Sequence, residues 1–370
     1  MNILLTNFHD GDGGGHTTYL MALARGLRAR HEIHIAAPST SRLYREATAL
    51  EHIHAVAQPF PNGLRNLAAS LRARRQLCVY LQRHAFDIVH VNGSADHRLV
   101  LAALRGVAKR PRIVLTKHNS KPITGLGHWW RARRTDLAVG VSDHTRRMLQ
   151  ASAYSRCRTL TVHNGVDTAH FQPWSAQTAA LERAHHADGA MLVLGSNAGT
   201  AHHKGWMDLV EAIATLDDDA KRQVRVLLCG KPLSSAQLSR LDALGLRDSV
   251  RHAGMLDDVR PMIAAIDVGF VLSYAVETIS FACREMMAMG KPVLASDYAG
   301  LPENIAPGVD GWVVPVRDRE AIALAVTAML ADPARLAEMG HRARTHAERD
   351  FGLALFVSRT EAAYASVLSV

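Results

Sequence analysis

Short β-branched or apolar runs alternate with segments of helical spacing along the whole chain. This alternation limits the fold more than any other feature. A parallel strand is reached only through a crossover of a dozen or more residues, so repeated strand–helix–strand units build parallel sheets covered by helices. The expected strands of the first half span residues 3–7, 32–37, 88–92, 113–118, 137–141 and 159–163. A second series follows at 191–195, 224–229, 250–253, 268–273, 292–296 and 312–314. Between them, residues 164–174 hold Asn164-Gly165 and Pro173, turn chemistry suited to leaving one sheet for another. Residues 17–30 place Leu20, Leu23 and Leu27 on one helical face, as a sheet-covering helix requires. The expected fold class is α/β, with two Rossmann-like, doubly wound domains at residues 1–172 and 173–352 and a helical segment, 353–370, after the last strand.

With 370 residues, 48% hydrophobic and 21% charged, the chain can bury a sizeable core, which excludes a disordered tail or fibre. Its apolar runs fall far short of the roughly 20 residues that cross a bilayer, so neither a membrane span nor a signal peptide is expected. Cys78, Cys157, Cys229 and Cys283 are dispersed, without the pairing of a zinc or redox motif. A reducing cytoplasm is the simplest compartment. The net charge of +9 is uneven: residues 1–175 hold 24 Lys/Arg against 10 Asp/Glu, a net +14, and the remainder is net −5. Basic residues are interleaved with Ala and Leu, and aromatics make up only 5% of the chain, so nucleic acid is not the expected partner. An anionic lipid surface or acceptor fits better, with ordinary solvated arginine as the plain alternative.

Ligands of open α/β sheets sit beyond the carboxyl ends of the strands. After the first strand comes Gly11-Asp12-Gly13-Gly14-Gly15-His16, a glycine turn opening a helix whose amides can face an anion. After 113–118 comes a polar run containing His118, which can reach a ligand or be one of 21 ordinary histidines. In the second half, Lys204-Gly205 precedes a helix at Trp206, where a lysine can neutralise a phosphate. His202 and His203 lack further metal ligands nearby in sequence. Glu277 follows the strand at 268–273, and Glu285 lies within a helix over 280–289. Amides near Ser280 can hold a phosphate between two carboxylates that serve neutral or cationic groups, such as sugar hydroxyls or an oxocarbenium ion. That combination suggests a nucleotide sugar.

Two glutamates followed by Met287-Ala288-Met289-Gly290-Lys291-Pro292 and then Gly300-Leu301-Pro302-Glu303-Asn304 resemble the signature of the retaining GT-B glycosyltransferases of family four. The glycine turn at Gly13–Gly15, His118, Val141–His144, His163–Asp167 and Lys204-Gly205 follow the same order. The resemblance implies a nucleotide-sugar donor, UDP-sugar before GDP-mannose, and an acceptor held mainly by the N-terminal domain, with the last helix crossing back onto that domain. It implies that Glu277 stabilises the reacting sugar and His118 touches its ring, these two being the catalytic candidates. The implied donor-binding set is Gly14, Gly15, Lys204, Thr278, Ile279, Ser280 and Glu285, with Glu285 on the ribose. No metal or other cofactor is expected, and Asp217-Asp218-Asp219 then reads as a polar helix end. Two positions depart from the family pattern: Gly199 stands where an arginine is common, and Thr278-Ile279-Ser280 replaces glycine-aromatic-glycine. His203 or Lys231 is a candidate replacement cation.

The leading functional expectation is a cytoplasmic transferase building a cell-envelope glycan, such as lipopolysaccharide core or O-antigen, peripherally on the inner face of a membrane. Alternatives are a transferase with a small soluble anionic acceptor and a nucleotide-sugar binding protein without turnover. A nicotinamide oxidoreductase is disfavoured, because neither half has GxGxxG followed about twenty residues later by an acidic ribose ligand. Acceptor pockets are expected from residues 59–75 and 120–134, and the Trp129-Trp130 pair with its arginines fits either a membrane contact or helix packing.

Overall fold

A computed structural model of the chain describes residues 1–63, 66–187 and 189–369. Residues 64 and 65, inside the expected acceptor segment 59–75, lie outside the described residues. The first sheet contains β1 (Asn2–Thr6), β2 (Glu32–Ala37), β3 (Ile53–Ala57), β4 (Ile88–Val91), β5 (Arg112–Lys117), β6 (Leu137–Gly140) and β7 (Arg158–Thr161). Its order is β3-β2-β1-β4-β5-β6-β7, with every pair parallel. The second contains β8 (Leu192–Ser196), β9 (Val224–Leu228), β10 (Val250–His252), β11 (Val268–Val271), β12 (Val293–Ser296) and β13 (Gly311–Val314). Its order is β10-β9-β8-β11-β12-β13, again all parallel. β3 was absent from the expected strands. Its residues, Ile-His-Ala-Val-Ala, are half exposed at a sheet edge and lack the continuous apolar run of a central strand.

The chain divides into two units, Met1–Gly165 with the segment from Leu353 onward, and Val166–Gly352. The boundary expected between residues 172 and 173 therefore lies seven residues late. The turn chemistry continues past the crossing, and packing decides where the second unit starts. Val166 N–H donates to the Phe351 carbonyl (2.8 Å), and Arg344 donates to the carbonyls of Thr168 and Phe171. Phe171 and Trp174 pack against the second unit's core.

Each sheet is covered by apolar helix faces. In the first unit, helix Gly14–Leu27 buries Tyr19, Leu20, Leu23, Ala24 and Leu27. The final helix, Leu353–Leu368, packs beside it, with Phe356 against Tyr19 (ring centroids 5.0 Å) and the Tyr364 hydroxyl 2.6 Å from His90 Nδ1. The second unit has core clusters on both sheet faces, one including Met286, Met287 and Phe351 and the other including Trp206, Leu209 and Phe270. Among the described residues no helix is long and apolar enough to cross a membrane. All four cysteines are free.

Candidate functional site

The second sheet changes winding direction between neighbours β8 and β11, a switch point where a crevice opens beyond the strand ends. The loop after β8 carries Asn197 and Lys204; the loop after β11 carries Glu277, and helix Phe281–Ala288 carries Glu285. Lys204 is fixed by Gly205, whose φ is 72° and where an added Cβ would fall 1.9 Å from the Leu272 carbonyl oxygen. Only glycine lets this turn close against the exit of β11. Lys204 Nζ then meets Glu277 Oε2 at 2.8 Å, with side-chain exposures of 19% and 13%.

Val276 and Ser280, on either side of Glu277, have φ of 53° and 52°. Left-handed backbone costs an L residue on the order of 1–2 kcal/mol, and such strain persists only where surrounding structure enforces it. At Ser280 the enforcement is visible. Asn304 Nδ2 donates to the carbonyls of Ile279 (2.8 Å) and Leu301 (3.0 Å), and its Oδ1 accepts from buried Arg284 (2.8 Å). The Ser280 hydroxyl accepts from Cys283 N–H (3.4 Å) at the start of helix Phe281–Ala288, and Thr278, Ile279 and Ser280 are all buried. Ser280 therefore adopts a backbone region that favours glycine, with a cap in exchange.

Glu285 Oε2 accepts from Asn197 Nδ2 at 2.6 Å, and burial raises its carboxyl to about 7. A diol donating two hydrogen bonds would favour its charged form. At Gly199 φ is 96°, a conformation that L side chains rarely adopt, so this backbone does not suit an arginine. His203 is held below its ordinary value by burial and then by Lys204, so it is neutral at physiological pH and makes a poor replacement cation. Asp217 accepts from Ala220 N–H (2.8 Å) as the cap of helix Asp218–Gln223, in keeping with a polar helix end.

The first unit's switch point lies between β1 and β4. Gly14 and Gly15 open helix Gly14–Leu27. Gly13 has φ 69°, and its Cβ would lie 2.5 Å from Thr17 Oγ1. The Gly14 N–H donates to the Asp12 carboxylate (2.9 Å), whose other oxygen takes Arg42 (2.6 Å), so an anion at this turn must displace Asp12. His118, just past β5, has Nε2 2.7 Å from Asn92 Oδ1, with the His16 and Tyr19 rings at 4.2 and 4.6 Å. Burial, then His16, His90, His9 and Lys117, hold its pKa well below the ordinary value. His16 and His90 are likewise depressed to about 3, mainly by burial. The first unit thus presents neutral imidazole where the second presents a charge pair.

Sequence reasoning did not single out Asn92 or Asn197, which directly follow β4 and β8, where the strand-end rule would have found them. Asn304 was named only as the end of the Gly300–Asn304 run; its hold on backbone 25 residues away has no local signal. The expected acceptor segments, 59–75 and 120–134, overlap the helices Leu67–Arg83 and Leu126–Ala132. The two tryptophans differ in their surroundings. Trp129 is exposed, with the Arg133 guanidinium 3.4 Å from its ring centroid, whereas Trp130 packs against the first unit's core.

Residues 13–170 match the family model described as Glycosyltransferase Family 4, and residues 190–332 match Glycosyl transferases group 1. The lipopolysaccharide core biosynthesis glycosyltransferase LpsE of Rhizobium meliloti is 36% identical over 142 residues, which span 37% of this chain and 40% of that protein. A GDP-mannose-dependent alpha-(1-6)-phosphatidylinositol monomannoside mannosyltransferase of Mycolicibacterium smegmatis is 26% identical over 355 residues, 91% of each chain. The structure of Anabaena Alr3699/HepE in complex with UDP superimposes with a TM-score of 0.82 at 19% identity, covering 99% of this chain and 100% of that one. Two Rossmann-like domains, family models matched in succession and these relatives agree: the chain belongs to the GT-B glycosyltransferases.

Proposed function

We propose that this glycosyltransferase moves a sugar, with retention of anomeric configuration, from a nucleotide sugar to a cell-envelope glycan or glycolipid. The carrying observation is the Lys204–Glu277 pair at the switch point of the second sheet, with Glu285 on the adjoining helix. In this reading Lys204 and the amides of Thr278–Ser280 take the diphosphate, and Glu285 takes the ribose hydroxyls. Glu277, relieved of Lys204, contacts the sugar hydroxyls and the cationic character that grows at the anomeric carbon. The amides of Gly14 and Gly15 and the neutral His118 serve the diphosphate and the sugar ring. The anomeric C–O bond to the diphosphate breaks and the acceptor oxygen bonds on the same face. The acceptor proton passes to the leaving phosphate oxygen. Donors fixed toward growing phosphate charge are the largest electrostatic contribution such a site can make.

A UDP-sugar is the favoured donor, supported by the HepE structure with UDP; GDP-mannose comes next, supported by the mycobacterial relative. A lipopolysaccharide acceptor is supported by the likeness to LpsE. Peripheral contact with an anionic membrane is supported by helix Leu67–Arg83, which exposes Leu67, Leu71 and Val79 beside Arg72, Arg74 and Arg75 in a stretch, residues 52–86, without an acidic residue. Cations near such a surface contribute about 1 kcal/mol each.

The test is thermal stability against UDP-, GDP-, CMP-, ADP- and dTDP-sugars, since a ligand at one hundred times its Kd adds about 2.7 kcal/mol. Stabilisation by one nucleotide, lost in Glu285→Ala, is expected; product anomeric configuration then tests retention. Turnover surviving Glu277→Ala at the wild-type rate would overturn the assignment. Binding to vesicles that ignores lipid charge and salt would remove the membrane contact.

A further inference from the structure

The first sheet carries a second cluster of chemistry-bearing residues at the N-terminal end of its strands, opposite the loops of Gly13–Gly15 and His118. Glu32 opens β2, His34 lies two residues on, and His54 of edge strand β3 is its cross-strand partner. The His34 and His54 rings stack with centroids 4.5 Å apart. His34 Nε2 lies 3.1 Å from Glu32 Oε1, and His54 Nε2 lies 3.9 Å from the same oxygen. One ligand atom from each of the three residues falls within 4.8 Å of the others, the only such group of three among the described residues. Two imidazole nitrogens and a carboxylate oxygen around bonds of 2.0–2.2 Å sit about 3.3 Å apart in a tetrahedral zinc site. The Glu32–His34 separation already has that size.

We propose that Glu32, His34 and His54 form a three-ligand site for a divalent transition-metal ion, zinc before copper or nickel, that ties edge strand β3 to β2. Its back wall is preorganised. His34 is fully buried, and its other nitrogen, Nδ1, lies 2.5 Å from the Tyr80 hydroxyl, the outer-shell contact that orients a metal-binding imidazole. With the ion bound, neutral His34 is the Nδ1–H tautomer: its single ring proton is donated from Nδ1 to the Tyr80 oxygen and the Nε2 lone pair faces the ion, so a ring that carries its proton on Nε2 without metal exchanges it for one on Nδ1 and releases none. His54 and Glu32 are more than half exposed, so they can swing the remaining distance, and the ion has a route in from solvent. Water, or His84 with its ring centroid 4.9 Å from that of His34, completes the four positions. Nitrogen with one carboxylate oxygen suits zinc, copper and nickel and disfavours magnesium and calcium. The site is independent of the donor-binding reading and holds or fails separately from it.

The full chain, stripped with EDTA, is titrated with zinc sulfate against a chromogenic chelator. One zinc per chain is expected with Kd below about 10 μM, weakened at least about 30-fold in His54→Ala and in Glu32→Gln, and about 10-fold in Tyr80→Phe. His202→Ala/His203→Ala should bind as the wild type does, which separates the cluster from other surface histidines. Zinc should raise Tm in the wild type and leave the His54→Ala/Glu32→Gln double variant unmoved. Buried His34 is left intact because its loss could unfold the sheet edge. Binding weaker than about 10 μM, or binding unchanged in that double variant, overturns the proposal.

Discussion

The two units share one plan, parallel sheets wound outward from a central switch point, and place opposite chemistry at it. In the second, Lys204 and Glu277 keep opposite charges in contact. In the first, within the half of the chain that carries the excess positive charge, His16, His90 and His118 are stripped of charge by burial. The arginines of that half lie largely outside, as Arg72, Arg74 and Arg75 do. Net charge thus describes a unit's surface and says little about its crevice, where desolvation and pairing decide ionisation.

The sharpest way to break this contrast is to remove the charge pair. Glu277→Gln should lower kcat by about 1,000-fold, the scale of a lost transition-state contact, with the fold intact by circular dichroism. Lys204→Met should also destabilise by about 1–3 kcal/mol, because it leaves a largely covered carboxylate unpaired. The Lys204→Met/Glu277→Gln double variant should recover most of that stability and no activity. A cycle of denaturant melts measures the coupling. Recovery of activity in the double variant would show that the pair serves structure alone.

For the first unit, His118→Ala should cost about 100-fold in kcat/KM, and His118→Gln less, because an amide can keep the contact with Asn92. An imidazole held well below its ordinary value does not titrate in the neutral range, so the pH–rate profile should show no inflection between pH 5.5 and 7.5 that His118→Gln removes. Such an inflection would mean that this crevice is charged after all.

A smaller effect is expected at Glu285. Its native carboxyl is raised to about 7, so between the ordinary carboxylate range and 7 the native state holds a proton that the unfolded chain has released. This contribution to stability is full at low pH and is lost as pH rises through about 7. Glu285→Gln keeps a neutral acceptor for Asn197. Its Tm should match the wild type at pH 4.5 and exceed it at pH 8 by about 2–4 °C, while its donor affinity falls. Equal melting at both pH values would show that the carboxylate is better solvated than its burial implies. The smallest change is Val276→Gly: exposed Val276 sits at φ 53°, and relief of that strain should add up to about 1 kcal/mol in a denaturant melt.

Alternating strand and helix patterns, the Gly13–Gly15 turn, Lys204-Gly205 and the spacing of Glu277 and Glu285 were legible in the chain because they obey local rules: periodicity, glycine backbone freedom and position after a strand. β3 was not, since a half-exposed edge strand lacks a continuous apolar run. The unit boundary at Gly165–Val166 was displaced because the contacts that set it come from Phe351 and Arg344, nearly two hundred residues away. The sequence by itself determined two parallel α/β units and which residue types stand at their strand ends. Only the tertiary structure decided that Lys204 meets Glu277, that Asn304 holds Ser280 in a left-handed backbone, that His118 is neutral, and that His34 and His54 are paired across two strands. These outcomes depend on burial and on contacts between distant segments, and no window of sequence contains either.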